Sequence, residues 1–524
     1  MSVYTWLDYR VQLRNELTNK ICQCKNKHIE NAVNKMQSLN LAIEQEENYL
    51  WYKGNPDYLM WFYTRGMVEN GFQNIFNQYL ARNWTSYYWT KSAMETNIKR
   101  THSGLPRQAI VFLDRALGDP IIKCKEADKT TLLDKIFKAN NGNATMSKQK
   151  RLDMAIGDGA YIININQALS DYPMFEYIDG RDIQFESVGD KITAVIFFKR
   201  YTYNDTIYTC VERRTTERKK GILKGYKTYA VNERALFVND SKKGFIQVAL
   251  DSIPQTENLQ EREVFKDIPF MLAVPCIREI DDETKRGVSM FRGRIDLFDD
   301  LDQSLSQEAN TMRAITPVEY VDSNLLEKDK EGQPIMPSAF GKQYITYKGG
   351  NSYSDDPKGV MTTFYNVDFN KISVEAQEGV SRCLNGWISP ASFGFDISRK
   401  DNALAQREKE KITLQTLKDF KEYEVDVIEQ LSKVLLTCYD LMTKSKYEYI
   451  DYELEVSFKD YATPTLSEKI NTYKDAVKDG VMSVDRFILE CYGDESEETQ
   501  EKEKKAIIEA LDRDKPSFNI MSQE

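Results

Sequence analysis

The chain has 524 residues, 41% of them hydrophobic, enough to bury sizeable cores and to build roughly two to four domains. Its 81 acidic and 71 basic residues leave a net charge of −10, so the global basic surplus of a protein that grips nucleic acid through phosphates is absent. The eight scattered cysteines form neither a disulfide framework nor a paired zinc pattern, and no charge-free apolar run approaches the roughly 18 residues of a membrane span.

The first stretch, MSVYTWLDYRVQLRNEL, carries charges throughout and has no apolar h-region, so a signal peptide is not expected and a cytoplasmic protein is. Cys22, Cys24 and His28 are close together but lack a fourth ligand nearby, so no zinc site is read there. Residues 1–100 have mostly helical spacing and are rich in aromatics, as in WYKGNPDYLMWFYTRG and NWTSYYW, which fill a core or an interface. Between about 155 and 270 the period changes to two, and Asn204 and Asp205 between two alternating runs predict a hairpin turn. This middle section reads as an α+β domain.

Ser289 is read as the N-cap of a helix in which Ile295, Phe298, Leu301, Leu305, Met312 and Ile315 recur at helical spacing until Pro317. Such a helix is a rod of roughly 40 Å. From 317 to 368, prolines and glycines alternate with the strand candidates VEYV, KQYITYK and VMTTFYNV, which predicts a small β-containing insertion. A second helix follows, with Phe369, Ile372, Ala376, Val380 and Trp387 on one face, so an antiparallel pair carrying the insertion at its far end is expected. After a loop, the stripe through Leu417, Phe420, Leu431 and Cys438 predicts one helix from 403 to 443. The remainder reads as short helices, one of them capped by Ser483, and a loose tail from Lys515.

No motif in the chain carries catalytic chemistry outright. GDGA at 157–160 lacks the third glycine of a dinucleotide loop and reads as a turn entering a strand, and no GxxxxGK[ST] phosphate loop occurs. In DLFDDLD, Asp296, Asp299, Asp300 and Asp302 fall within two helical turns, and the first three share a face, a pattern that can hold Mg²⁺. Without a second carboxylate cluster, an acidic solvated face is the expectation. RRTTERKK at 213–220 is expected to be the solvated end of a hairpin. Arg399 and Lys400, two cations where a helix starts, invite a partner of negative charge.

Taken in order, RTHSGLPRQAIVFLDRALGDPIIK (100–123), AIGDGAYIININ (155–166), RGVSMFRGRIDLFDDLDQSLSQEANTMR (286–313), WISPASFGFDISRKDNALAQREKEK (387–411) and VKDGVMSVDRFILECYG (477–493) resemble segments of the portal proteins of tailed bacteriophages, of the long-tailed type with Gram-positive hosts. The likeness runs from about 50 to 500, and the first 50 residues match no portal motif. It implies an α+β, mainly helical fold that assembles into a ring of usually twelve subunits. The parts would be 1–100, the aromatic-rich helical part of the wing; 101–288, the α+β wing; 289–316 and 369–388, the stem helices; 317–368, the clip; 389–402, a tunnel loop; 403–460, a long helix joining wing to crown; and 461–524, the helical crown and tail.

The same resemblance implies a virion protein at the capsid portal vertex, assembled in the host cytoplasm, with no enzyme activity, cofactor or metal. Its partners would be copies of itself, double-stranded DNA held weakly and without sequence preference, the terminase large subunit, a head-completion or adaptor protein, and the major capsid and scaffolding proteins. Ser392, Phe393, Asp396, Ser398, Arg399 and Lys400 would be the DNA-proximal loop residues. Asp296, Asp299, Asp300 and Asp302 would line the channel, and Tyr320, Tyr344, Tyr347 and Phe364 would dock partners at the clip. The alternatives are a Mg²⁺-dependent enzyme using 296–302, and a non-viral helical scaffold protein, for which the helical stripes lack sustained heptads.

Overall fold

The computed structural model describes residues 32–68, 88–89, 99–189, 191–220, 226–240, 244–314, 318–322, 343–347, 361–363, 369–393, 403–444, 449–458, 482–492 and 497–513, with positions 10, 14, 16, 330, 335, 470, 473 and 477. The chain divides into two compact units, Met1–Phe458 and Lys459–Glu524.

In the first unit, helices α1 (Ala32–Lys53) and α2 (Pro56–Val68) turn at Gly54 and bury Trp51, Phe62 and Tyr63 of the aromatic stretch, while Tyr58 is exposed. Trp51 Nε1 donates to the Tyr63 hydroxyl at 2.9 Å, which in turn donates to Glu47. Helix α3 (Leu105–Leu117), strand β1 (Pro120–Cys124) and helices α4 (Ala127–Ala139) and α5 (Gly142–Ile156) follow. Strands β2 (Asp158–Asn164) and β3 (Met174–Asp179) form an antiparallel hairpin, which β10 (Ala273–Ile277) joins along β2.

The largest sheet runs in the order β4 (Ile183–Val188), β5 (Lys191–Tyr203), β6 (Thr206–Lys220), β7 (Tyr226–Asp240), β8 (Gly244–Val248), with β9 (Arg262–Lys266) also paired to β7. Asn204 and Asp205 join β5 to β6 with φ of 49° and 56°, the left-handed pair that a two-residue hairpin needs. Alternation puts Ile196, Phe198 and Val211 on one face of this sheet and Val195 and Phe197 on the other, and all five are buried.

The same alternation corrects the solvated reading of 213–220 at Arg214 and Thr215, while Arg218 and Lys219 near its end are exposed. Glu212 and Arg214 share a face, and that face is interior: Arg214 is fully buried and donates to Glu212 at 2.6 Å and to Asn164 at 2.7 Å. Burial alone would push the Glu212 carboxyl up, but Arg214, Lys199 and Arg234 together pull it down to about 2.

The GDGA stretch enters β2 as a turn, with Gly157 at φ 111°. Here the backbone of 157 meets that of 287 so closely that a Cβ at Gly287 would lie 2.1 Å from the Gly157 carbonyl oxygen, so glycine is required on both sides. Asp158 and Arg286 lock this crossing, with Nε to Oδ2 at 2.6 Å and Nη2 to Oδ1 at 2.9 Å. Ser289, predicted to cap a helix, accepts from Phe291 N at 3.0 Å as a cap does, but the turn it caps precedes the helix, which begins six residues later, and its hydroxyl also donates to the Ala155 carbonyl at 2.6 Å.

That helix is α6 (Ile295–Ala314), 20 residues long and so about 30 Å. A three-stranded sheet follows, in which β11 (Val318–Asp322) pairs in parallel with β12 (Gln343–Tyr347) and antiparallel with β13 (Met361–Thr363). Helix α7 (Phe369–Leu384) ends four residues before the expected 388, in a turn made by Gly386 at φ 83°.

Helix α8 spans Ala403–Thr443, the bounds its apolar stripe predicts. The segment after it does not continue as a helix to 460. Leu454–Phe458 is a strand, β14, antiparallel to β1 with Phe458 opposite Pro120. In the second unit, α9 (Val484–Tyr492) is capped by Ser483, whose Oγ accepts from Arg486 N at 3.3 Å. Its Phe487, Ile488 and Cys491 are buried with Ile507 of α10 (Glu497–Arg513) packed against them.

Candidate functional site

The element that the sequence singles out, two helices bracketing a small sheet, can be followed contact by contact. Arg294, just before α6, donates to the Asn385 carbonyl just after α7 at 2.7 Å. One turn on, the Cys383 thiol donates to the Leu297 carbonyl at 3.3 Å. A further turn on, a Cβ at Gly379 would lie 3.1 Å from Leu301 Cδ1. The numbers rise on one helix as they fall on the other, so α6 and α7 are antiparallel and in close contact. The three-stranded sheet, which starts at Val318 and ends at Thr363, belongs to the end of the pair opposite Arg294.

The near end is anchored by aromatics. Phe291 meets Phe298 edge-on at 5.6 Å and Trp387 at 6.5 Å, and the Arg294 guanidinium stands 5.3 Å over the Trp387 ring. Trp387 Nε1 donates to the Cys383 carbonyl at 2.8 Å, which ties the ring to the last turn of α7.

The acidic run on α6 is not one solvated face. Asp296 and Asp300 are exposed, whereas Asp299 and Asp302 are buried. Asp299 accepts from Tyr88 N at 2.6 Å and from Trp89 N at 3.3 Å. Asp302 accepts from Ser103 N at 2.8 Å and Trp89 Nε1 at 3.1 Å, and His102 Nδ1 lies 2.6 Å from it. Further along the same face, Ser306 Oγ accepts from Thr101 N at 2.8 Å, and Asn310 accepts from Lys99 N at 3.1 Å and donates to the Lys99 carbonyl at 3.2 Å.

Residues 299, 302, 306 and 310 are therefore rungs, at helical spacing, that satisfy the backbone of an earlier segment with no sheet partner there. Two of the four expected channel acids, Asp299 and Asp302, are thereby withdrawn from any channel. They are withdrawn equally from a Mg²⁺ site with Asp296 and Asp300, which point the other way. Among the described residues, no three His, Cys, Asp or Glu side chains are grouped to hold a metal ion, and no helix is long and apolar enough to cross a membrane. Cys22, Cys24 and His28 lie outside the described residues.

Of the loop residues, Ser392 and Phe393 sit in a 3₁₀ turn, Pro390–Phe393, held against the body. Ser389 N donates to Thr413 Oγ1 of α8 at 2.8 Å, the Ser392 and Thr413 hydroxyls are 2.9 Å apart, and Phe393 packs on Phe112 of α3 at 5.0 Å. Within the chain, then, Ser392 and Phe393, named above as DNA-proximal loop candidates, form a turn that closes onto α8. Asp396, Ser398, Arg399 and Lys400 lie outside the described residues, as does Phe364. The backbones of Tyr320, Tyr344 and Tyr347 are in β11 and β12, Tyr320 opposite Ile345, and their side chains are outside what is described.

No family model matches this sequence, and no curated protein does. Among solved structures, the chain is similar to the neck of an empty GTA particle computed with C6 symmetry, at 8% identity and a TM-score of 0.34, covering 72% of this chain and 87% of that one. A likeness at that level carries no argument, and the functional reading rests on the chain's own residues.

Proposed function

We propose that this chain is the subunit of a portal, a homo-oligomeric ring at one capsid vertex through which genome DNA is packaged and ejected, and on which the terminase and head-completion or tail proteins dock. The observation that supports this reading best is the antiparallel α6–α7 pair with its three-stranded sheet, followed by a 41-residue helix across a short loop. That is the order of stem, clip, stem, tunnel loop and supporting helix which the sequence resemblance implies. In this reading Asp296 and Asp300 are the two of the four expected acids left to face a channel, and Arg399 and Lys400 are the isolated cations of the loop. Acidic walls with few cations suit passage of DNA, because each neutralised phosphate would add salt-dependent affinity and hold the duplex back. The reading involves no catalytic step and no cofactor.

The test is the mass of the purified particle by light scattering after size exclusion, with negative-stain images of the peak. A closed ring of about a dozen chains of 60.8 kDa with a central hole is the expected outcome, since repeated heterologous contacts that close make a ring. A dimer that never forms rings at any concentration or salt would overturn the reading.

A further inference from the structure

Where α8 crosses α5, two carboxyl groups meet in the interior. Asp153 and Glu424 are buried, and one side chain bridges them: the Gln149 amide donates to Asp153 Oδ2 at 2.6 Å and to Glu424 Oε1 at 3.0 Å. The Tyr161 hydroxyl, 3.3 Å from Gln149 Oε1, holds that amide in this orientation. The Tyr177 and Tyr423 hydroxyls both donate to Asp153, the latter at 3.0 Å, so Asp153 collects three donors. Glu424 collects one, and its Oε2 is buried with no hydrogen-bond partner.

Among the described residues no cation bonds either carboxyl group. Lys150, on α5, pulls the Glu424 carboxyl down only from a distance, being engaged with Asp114 at 3.0 Å and the Gly118 carbonyl at 2.9 Å, and Arg151 is bound to Asp114 at 2.6 Å. Arg278 stacks on Phe420, one turn before Glu424, at 4.9 Å and pairs with Glu279. The remaining titratable neighbours are Tyr161 on β2, Tyr177 on β3, Cys276 on β10 and Tyr423 on α8, none of which carries a positive charge. Two ionised carboxylates on one neutral amide, away from water and without a cation bonded to either, would be strongly unfavourable.

We propose that α8 is seated on the body by a proton held on Glu424: Glu424 is neutral in the docked helix while Asp153 takes the three donors, and ionisation of Glu424 loosens the seat. Burial pushes both carboxyls up, Glu424 to about 7 and Asp153 well above the usual carboxylate range, so one of the pair keeps a proton, and the three donors on Asp153 against one on Glu424 place it on Glu424. This makes the long helix a pH-responsive element. The inference does not rest on the portal reading, since it concerns the contact between α5 and α8 within one chain.

Two measurements on the full chain test it. Infrared difference spectra between acid and neutral pH should contain the C=O stretch of a protonated carboxyl that persists well above the ordinary carboxylate range. That band should be absent in Glu424→Gln and retained in Asp153→Asn. Its absence from the wild type, or its loss in Asp153→Asn and not in Glu424→Gln, overturns the assignment. Hydrogen exchange of the 417–431 stretch, divided by the intrinsic rate, should accelerate about tenfold in the wild type as pH rises from about 6 to about 8 and stay level in Glu424→Gln. An equal acceleration in both proteins shows that the seat does not depend on this proton and overturns the proposal.

Discussion

Two pairs of buried acids in this fold are managed in opposite ways. Asp299 and Asp302 on α6 each sit where backbone or ring N–H groups converge on both oxygens. Glu424 on α8 has one donor for two oxygens and a second carboxyl nearby. The difference teaches that burial alone does not decide what an acid does in a core. The number of donors aimed at it does: an acceptor-only carboxylate completes the first site, and a proton has to complete the second.

The comparison breaks most visibly at its donor-rich side. Asp302→Ala strands Ser103 N, Trp89 Nε1 and the His102 ring in the interior, and should cost on the order of 4 kcal/mol in chemical denaturation. At the donor-poor side the sign reverses. With the folded-state value raised to about 7, the folded protein holds a proton that the unfolded chain has already lost, so this site's contribution falls as pH rises from about 4.5 to about 7 and is then level. Glu424→Gln should therefore stabilise the protein by up to about 3 kcal/mol at pH 8 and by nothing at pH 4, read as the difference between two pH-dependent melting curves. Tyr423→Phe removes one of three donors from Asp153 and should cost about 1 kcal/mol in the same assay. Asp300→Asn, on the exposed side of α6, should change stability by less than about 0.5 kcal/mol.

What could be read from the sequence was whatever repeats locally. The stripe of α8, the Asn204–Asp205 turn and the three short strands of the 318–363 sheet follow from period and turn chemistry within a few residues of one another. What could not be read depends on distant partners. Strand β14 pairs with β1, more than three hundred residues away, and although its five residues, LEVSF, alternate apolar and polar, so short an alternation does not name its partner. The helix start at Ile295 was misplaced because Ser289 caps the turn that precedes the helix and donates to Ala155, across a contact made by two glycines. The inward turn of Asp299 and Asp302 was hidden for a similar reason, since their donors come from 88–103. One signal was available and unused. Glu424 falls four residues after Phe420 and four before Ile428, inside the apolar stripe of α8, and an acid in that register has to be neutralised or paired.

The rungs on α6 have a consequence for how this protein can change over time. Four side chains on the helix hold the earlier segment, and at 99 and 101 what Asn310 and Ser306 bond is main chain, whereas Asp302 also takes hold of the Trp89 and His102 rings. A main-chain group is the same whatever residue carries it, so positions 99 and 101 are free to drift in sequence while 299, 302, 306 and 310 are not. Homologous chains compared along this stretch should then show constraint on one partner and latitude on the other, an asymmetry that a search for paired substitutions would pass over.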